Sequence, residues 1–345
     1  VFIRMDLVKV MKKLESEKQI AILLFVTTII CSSFVYLLKN NNIREQNIQE
    51  YGIELMTYNS DNRLYKENIK SSPKRVIAIW QTSIETLIAL GQSDKIIAAI
   101  GLPDDKCLKD SYRDAYQRIP YKSFSRLNQE AALAMKPDFI LTSWASSFNS
   151  KNIGRTDFWN ERNIGTYISE IPPAVGGKRT VEHEYKYIRD MGRLFEVEDR
   201  AETIISEIEE EISKVKKRLP ADNKQNKKVM VIQFMGSKLK NWGNDYLQGD
   251  IITKLHGDLV IKESKFIGYE DLLVANPEII FLMATEWEYN NLASVYDKMY
   301  ADRRFASLRA VKNKRIYIVP LYLGQYSAVR LGEGIKLFAK GMYPE

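Results

Sequence analysis

Two apolar patterns alternate along this chain from about residue 75 onward. Short continuous runs, "RVIAIW" at 75–80, "KIIAAIG" at 95–101, "VMVIQF" at 229–234 and "KRIYIVP" at 314–320, read as strands buried on both faces, and so do 138–142 and 278–283. Between them lie segments of helical period at 129–135, 269–275 and 328–341. The first of the intervening segments, "TSIETLIALG", sets Thr82 and Glu85 at capping-box spacing and ends on Gly91 as a stop. Strand and helix in alternation predict an α/β fold with mainly parallel sheets.

The middle of the chain breaks this rhythm. In "EDRAETIISEIEEEISKVKKRLP", residues 198–220, Ile204, Ile208, Ile212, Val215 and Leu219 are spaced four, four, three and four apart, one stripe of a single long helix. Acids open it, Lys216, Lys217 and Arg218 close it, and Pro220 follows, as the helix dipole and a stop require. A coiled-coil seam has only about three heptads to work with. The organisation read from this is an N-terminal α/β lobe at 72–197, a linking helix at 198–220 and a C-terminal α/β lobe at 221–345. A helical linker resists large hinge motion.

The two halves also repeat a phrase. "QEAALAMKPDFILT" at 129–142 and "YEDLLVANPEIIFL" at 269–282 match Glu130 with Glu270, Leu133 with Leu273, Pro137 with Pro277 and Asp138 with Glu278. Glutamates at helix starts also stabilise their own helices, by a few tenths to about 1 kcal/mol each.

Ahead of the lobes, Lys9, Lys12, Lys13 and Lys18 precede "IAILLFVTTIICSSFVYLL", 19 residues without a charge and long enough to span a bilayer. Residues 1–40 therefore read as a signal or membrane anchor, 41–71 as a polar, Asn-rich spacer, and the body as exported and tethered to the outer face of the cytoplasmic membrane. Cys31 inside the apolar run fits lipidation, although "TIIC" lacks the small residue normally found before such a cysteine; an uncleaved anchor is the alternative. Composition adds limits. With 45% hydrophobic and 28% charged residues over 345 positions, two cores are expected, and the net charge of +7 is dispersed among acids, which argues against nucleic-acid binding. Cys31 and Cys107 are not expected to pair, and His183 and His256 are too few for a histidine-built metal site.

The order "PKRVIAIWQTSIETLIALG", "NQEAALAMKPDFILTSW", the long helix, "GYEDLLVANPEIIFL", "VKNKRIYIVP" and "LFAKGMYPE" resembles the helix-linked substrate-binding proteins of ABC importers for ferric siderophores, haem or cobalamin, over roughly 72–345. The resemblance implies two lobes with a ligand cleft between them and no catalysis or intrinsic cofactor. It also implies a monomer that delivers a metal chelate to a permease dimer with its ATPase subunits. It places permease docking on Glu130 and Glu270, one acid per lobe. Such rim charges set orientation and encounter rate more than affinity.

Trp80, Trp144, Trp242, Trp287, Tyr322 and Tyr326 follow strands and are candidates to grip a flat or greasy chelate, with Arg330 to pair a carboxylate or catecholate. The bound ligand is expected to be an Fe(III) chelate, siderophore ahead of haem and corrinoid; haem would take an axial ligand from Tyr322, Tyr326, Met235 or Met283. A tethered ligand sensor without transport would use the same cleft. An exported enzyme finds no support in G-x-S-x-G, Walker A or H-E-x-x-H motifs, none of which occurs.

Overall fold

The computed structural model describes residues 52–169, 178–218, 227–285 and 291–344, together with Ser32 and Glu288. The expected anchor with Cys31, the aromatic Trp287, and Leu219 and Pro220 at the end of the linking helix lie outside the described residues. From Glu54 to Glu345 the chain forms one unit. No described helix is long and apolar enough to cross a membrane.

The stretch read as spacer is folded from residue 53 on: β1 (Ile53–Tyr58) and β2 (Leu64–Ile69) pair as a hairpin. Its apolar side is thin, which hid it among Asn and charged residues; Ile53, Leu55 and Ile69 are buried, and polar contacts join it to the first lobe. Arg155 grips Asp61 with two bonds of 3.0 and 2.9 Å, and Ile168 N donates to Thr57 Oγ1 at 2.9 Å. Tyr65 donates its hydroxyl to the buried Glu67, which also accepts from Asn160 Nδ2 at 3.1 Å. Burial holds the Glu67 carboxyl above its ordinary pKa, with these hydrogen bonds acting against the shift.

The first lobe is a five-stranded, wholly parallel sheet of β3 (Val76–Ile79), β4 (Ile96–Ile100), β5 (Tyr121–Ser123), β6 (Phe139–Thr142) and β7 (Gly165–Ile168), in the order β5-β4-β3-β6-β7. Both faces of β3 and β6 are covered, which is why they read as unbroken apolar runs. Helix α1 (Gln81–Ala89) is buried along its whole length, and α2 (Gln129–Ala134) leads into β6. Helix α3 (Val181–Leu194) begins with Thr180 and His183 as reciprocal caps, and burial lowers the His183 pKa.

The linking helix, α4 (Glu198–Lys217), buries Ala201, Ile204, Ile205 and Ile208. The expected stripe is thus buried in its first half, while Ile212 and Val215 are half-exposed. It packs so closely on α3 that a Cβ on Gly192 would lie 2.6 Å from Ala201 Cβ.

The second lobe is a mixed sheet. β8 (Lys227–Met235) turns back into β9 (Lys238–Asn241), and β10 (Gly257–Leu259), β11 (Lys265–Ile267), β12 (Ile279–Ala284) and β13 (Ile316–Pro320) complete it in the order β11-β9-β8-β12-β13, with β10 beside the start of β8. β10, β8, β12 and β13 run parallel; β9 runs antiparallel to β8, and β11, antiparallel to β9, points the same way as β8. Helices α5 (Leu247–Lys254), α6 (Tyr269–Ala275), α7 (Leu321–Gly324) and α8 (Leu331–Met342) are placed around it in chain order.

The repeated phrase is repeated structure. After α2 and α6 the chain passes through a left-handed residue, Lys136 (φ 51°) and Asn276 (φ 39°), then a buried proline, then an acid. Asp138 accepts from Lys74 N and Arg75 N at 2.8 and 2.9 Å, and Glu278 accepts from Lys228 N at 3.3 Å. Each of these acids caps the entry to the central strand of its sheet.

Candidate functional site

The carboxyl ends of β3, β4 and β6 converge on Trp80. This residue starts α1 with φ 71° and ψ 155°, a backbone conformation that a side chain rarely tolerates and that clusters at binding sites. The expected Thr82–Glu85 capping box is absent; Trp80 is the N-cap, and both predicted cap residues are used elsewhere. Trp80 Nε1 donates to Ser147 Oγ at 3.0 Å, and that hydroxyl is 2.9 Å from Thr142 Oγ1. The indole lies on Gly101 (φ 90°), where a Cβ would come within 2.7 Å of the ring. Trp80, Gly101, Arg126, Ser147, Asn152 and others line a cavity of about 20 Å³, room for a single water or small polar group. Arg126 was not singled out by the sequence; its side chain is exposed and, among the described residues, makes a long 3.4 Å contact to Asn152 Oδ1. Its signal was its place in the loop between β5 and α2, just past a parallel strand's carboxyl end.

A second cluster joins the lobes. Trp144, after β6, meets Tyr326, after β13 and α7, with ring centroids 4.5 Å apart at 59°. The Arg179 guanidinium lies 4.5 Å from the Tyr326 ring centroid. Arg179 Nε bonds Glu184 Oε1 at 2.6 Å, the two side chains being 3% and 0% exposed, and Nη1 donates to Ser169 O. Its backbone N reaches Asp245 O of the second lobe at 3.0 Å. The other oxygen of Glu184 accepts from Ala328 N at 2.7 Å, and Thr82 Oγ1 donates to Tyr326 O. Val181 N donates to Asp250 Oδ2 at 2.9 Å, tying α3 to α5.

Arg330 differs from expectation. Its Nη1 donates to Glu85 Oε1 at 3.1 Å and Cys107 O at 3.2 Å, while Nε and Nη2 bind Glu333 at 3.0 and 2.6 Å. A guanidinium this buried requires carboxylates of its own protein, and Arg330 finds them in both lobes. Burial raises the Glu85 carboxyl above its ordinary pKa, and the Arg330 charge opposes the shift. Tyr322 is buried with its ring centroid 5.1 Å from Arg330. Met283 is enclosed in the core of its lobe.

Trp242 follows an antiparallel return, so it stands level with Val231 midway along β8, with its N bonded to Val231 O at 2.8 Å. It is buried edge-on against Tyr246, 4.7 Å between centroids, and its Nε1 has no hydrogen-bond partner among the described residues. Of the expected aromatics among the described residues, Trp80 bonds Ser147, Trp144 and Tyr326 meet each other, Trp242 packs on Tyr246, and Tyr322 lies by Arg330.

Glu130 and Glu270 each occupy the second position of a short helix, α2 or α6, and are exposed. Neither caps its helix. Asn128 Oδ1 accepts from Ala131 N at 2.8 Å in the first, and Asp271 Oδ2 from Gly268 N at 2.8 Å in the second. Beside them stand the exposed apolar Leu133 (40%) and Val274 (87%). Of the two repeated acid pairs, then, Asp138 and Glu278 hold the fold and Glu130 and Glu270 face solvent.

Residues 76–323 match the family model described as periplasmic binding protein. A crystal structure of a periplasmic binding protein from Veillonella parvula DSM 2008 superposes with a TM-score of 0.75 at 32% identity, over 85% of this chain and 92% of that one. Two proteins of Bacillus subtilis (strain 168) align over 281 residues. The uncharacterized ABC transporter substrate-binding lipoprotein YvrC is 20% identical, over 80% of this chain and 82% of its own. The petrobactin-binding protein YclQ is 24% identical, over 78% and 80%.

Proposed function

Because this chain belongs to the periplasmic binding protein family, we propose that it is the extracytoplasmic binding component of an ABC importer and that it captures an iron chelate, ferric siderophore first, between its lobes. The observation that carries this reading is the Trp144–Tyr326 pair, one aromatic from each lobe, and it is joined at the carboxyl ends of the first lobe's strands by the strained Trp80 and the exposed Arg126. Aromatic faces grip a large, flat, partly greasy solute, and a guanidinium pairs with its anionic oxygens. The name of YclQ, a petrobactin-binding protein, supports an iron chelate as cargo. No bond is made or broken in this function. The leader tethers the body outside the membrane, by lipidated Cys31 or as an uncleaved anchor.

Delivery rests on Glu130 and Glu270. Their helices are capped by other residues, so these charges are left for a partner, one on each lobe, matching a permease with two like subunits.

Two experiments test the reading. Titrating the body from residue 52 with ferric hydroxamate, catecholate and citrate chelates, haem and cobalamin should quench tryptophan fluorescence saturably with one class, at micromolar concentration or tighter, and Trp144→Ala should weaken that binding at least tenfold. Saturation by haem or cobalamin would move the cargo assignment to that class; silence from folded protein would refute chelate capture. Glu130→Arg with Glu270→Arg should abolish uptake and leave chelate affinity within twofold; a fall in affinity would place those acids in the pocket, and intact uptake would refute their docking role.

A further inference from the structure

The segment Gln325–Arg330 belongs to the second lobe by sequence, following β13 and α7, yet its bonds reach the first lobe. Thr82 donates to Tyr326 O, Glu184 accepts from Ala328 N at 2.7 Å, and Arg330 bonds Glu85 and Cys107 O. Between these anchors Ala328 sits fully buried at φ 41°, in the left-handed region that costs a residue with a Cβ. A strained residue persists only where its surroundings over-determine it, and here the anchors do so. At one end of the segment is Tyr326, its ring closed on Trp144. Centroids 4.5 Å apart are in direct contact, so no third flat group fits between them. At the other end lies a groove of about 420 Å³, lined by Val329 of this segment, Glu333 and Lys336 of α8, and Lys109, Tyr112 and Arg200. The segment therefore has a closed contact in front, strain in the middle, and open space behind.

We propose that Gln325–Arg330 is a gate: Tyr326 occupies the place of the ligand against Trp144, and parting the rings moves the segment toward the rear groove and loads the Glu85–Arg330 clasp. This rests on the reading of the cleft as a chelate site. It assigns Glu85 and Arg330 as positioning residues, which act on the cargo only through Tyr326. Gating by a segment that must open first gives an association rate that saturates with ligand concentration, because opening becomes rate-limiting. An open cleft gives a linear rate.

The test uses two variants and two readouts. Glu85→Gln keeps one side-chain oxygen, which can still accept from Lys109 N, but gives up the acceptor facing Gln81 and removes the charge opposite Arg330. Ala328→Gly removes the Cβ at the strained position. In free protein, amide hydrogen exchange at 326–330 should accelerate at least tenfold in Glu85→Gln, with β12 unchanged, and slow in Ala328→Gly, where the closed state is relieved of strain. In stopped flow with the chelate that quenches fluorescence, the observed rate should reach a plateau, and Glu85→Gln should raise that plateau at least threefold. Unchanged exchange in both variants, or a linear rate across the accessible concentrations, would overturn the gate. Failure of every chelate to bind would strike the cargo reading, while the exchange measurement still decides whether the clasp holds the segment.

Discussion

Replacing Arg179 by Met should cost about 3–5 kcal/mol of stability. The worked reason lies in the partner left behind: Glu184 is fully buried and has two bonds, one from Arg179 Nε at 2.6 Å and one from Ala328 N at 2.7 Å. Two unit charges about 4 Å apart attract by about 4 kcal/mol at an effective dielectric near 20, and stripping one partner leaves a buried carboxylate with a single neutral donor. The net worth of the pair against an uncharged arrangement is much smaller, because both groups were desolvated to form it. Glu184→Gln keeps an acceptor for Ala328 N, so adding it to Arg179→Met should restore all but about 1–2 kcal/mol. The exposed bidentate pair Arg155–Asp61, 46% and 47% accessible, is the control, and Arg155→Met should move the urea midpoint far less than Arg179→Met does. Urea unfolding, with the midpoint and slope compared for the wild type, Arg179→Met, Glu184→Gln, the double variant and Arg155→Met, measures these differences. A loss below about 1 kcal/mol in Arg179→Met, or a double variant as unstable as the sum of its parts, would refute the account of this pair as charge-neutralising at the edge of the first lobe, where it meets the second.

Gly101→Ala should destabilise by about 1–3 kcal/mol and weaken chelate binding, since φ 90° and a Cβ within 2.7 Å of the Trp80 ring must both be accommodated; thermal melts and the fluorescence titration read the two effects. Asp138→Ala should lose about 1–2 kcal/mol with its two backbone donors, whereas Glu130→Ala should stay within about 0.5 kcal/mol; equal losses would contradict the division between a structural and a solvent-facing pair. Glu67 has a folded pKa raised by burial, so its protonated form favours the fold: its contribution is fully present below the unfolded pKa near 4.5 and is lost as pH rises through the raised value. Glu67→Gln should therefore stabilise the protein at pH 7 and bring no gain below about pH 4, as urea midpoints across that range will show.

Much of the fold was legible along the chain because its signals are local. Short apolar runs marked β3, β4, β8, β12 and β13, since strands covered on both faces leave no polar alternation. The 198–220 stripe marked α4, and the repeat at Glu130 and Glu270 marked two lobes of like design. The hairpin at 53–69 escaped because its side chains bond across the fold, Asp61 to Arg155 and Tyr65 to Thr166.

The site was less legible for the same reason. Thr82 and Glu85 have capping-box spacing, yet the hydroxyl bonds Tyr326 O and the carboxylate bonds Arg330, 244 and 245 residues away. Trp242 follows a strand as Trp144 does, but a strand's direction decides where its next residue stands, and β9 runs antiparallel. The sequence by itself determined which segments are strands, which is the strut, and which acids repeat, because periodicity, caps and helix dipoles act within a few residues. Only the tertiary structure decided that Arg330 is bound by Glu85 and Glu333, that Arg126 stays exposed, and that Tyr326 meets Trp144, because a buried charge or ring takes its partner from whatever packing brings within about 4–5 Å.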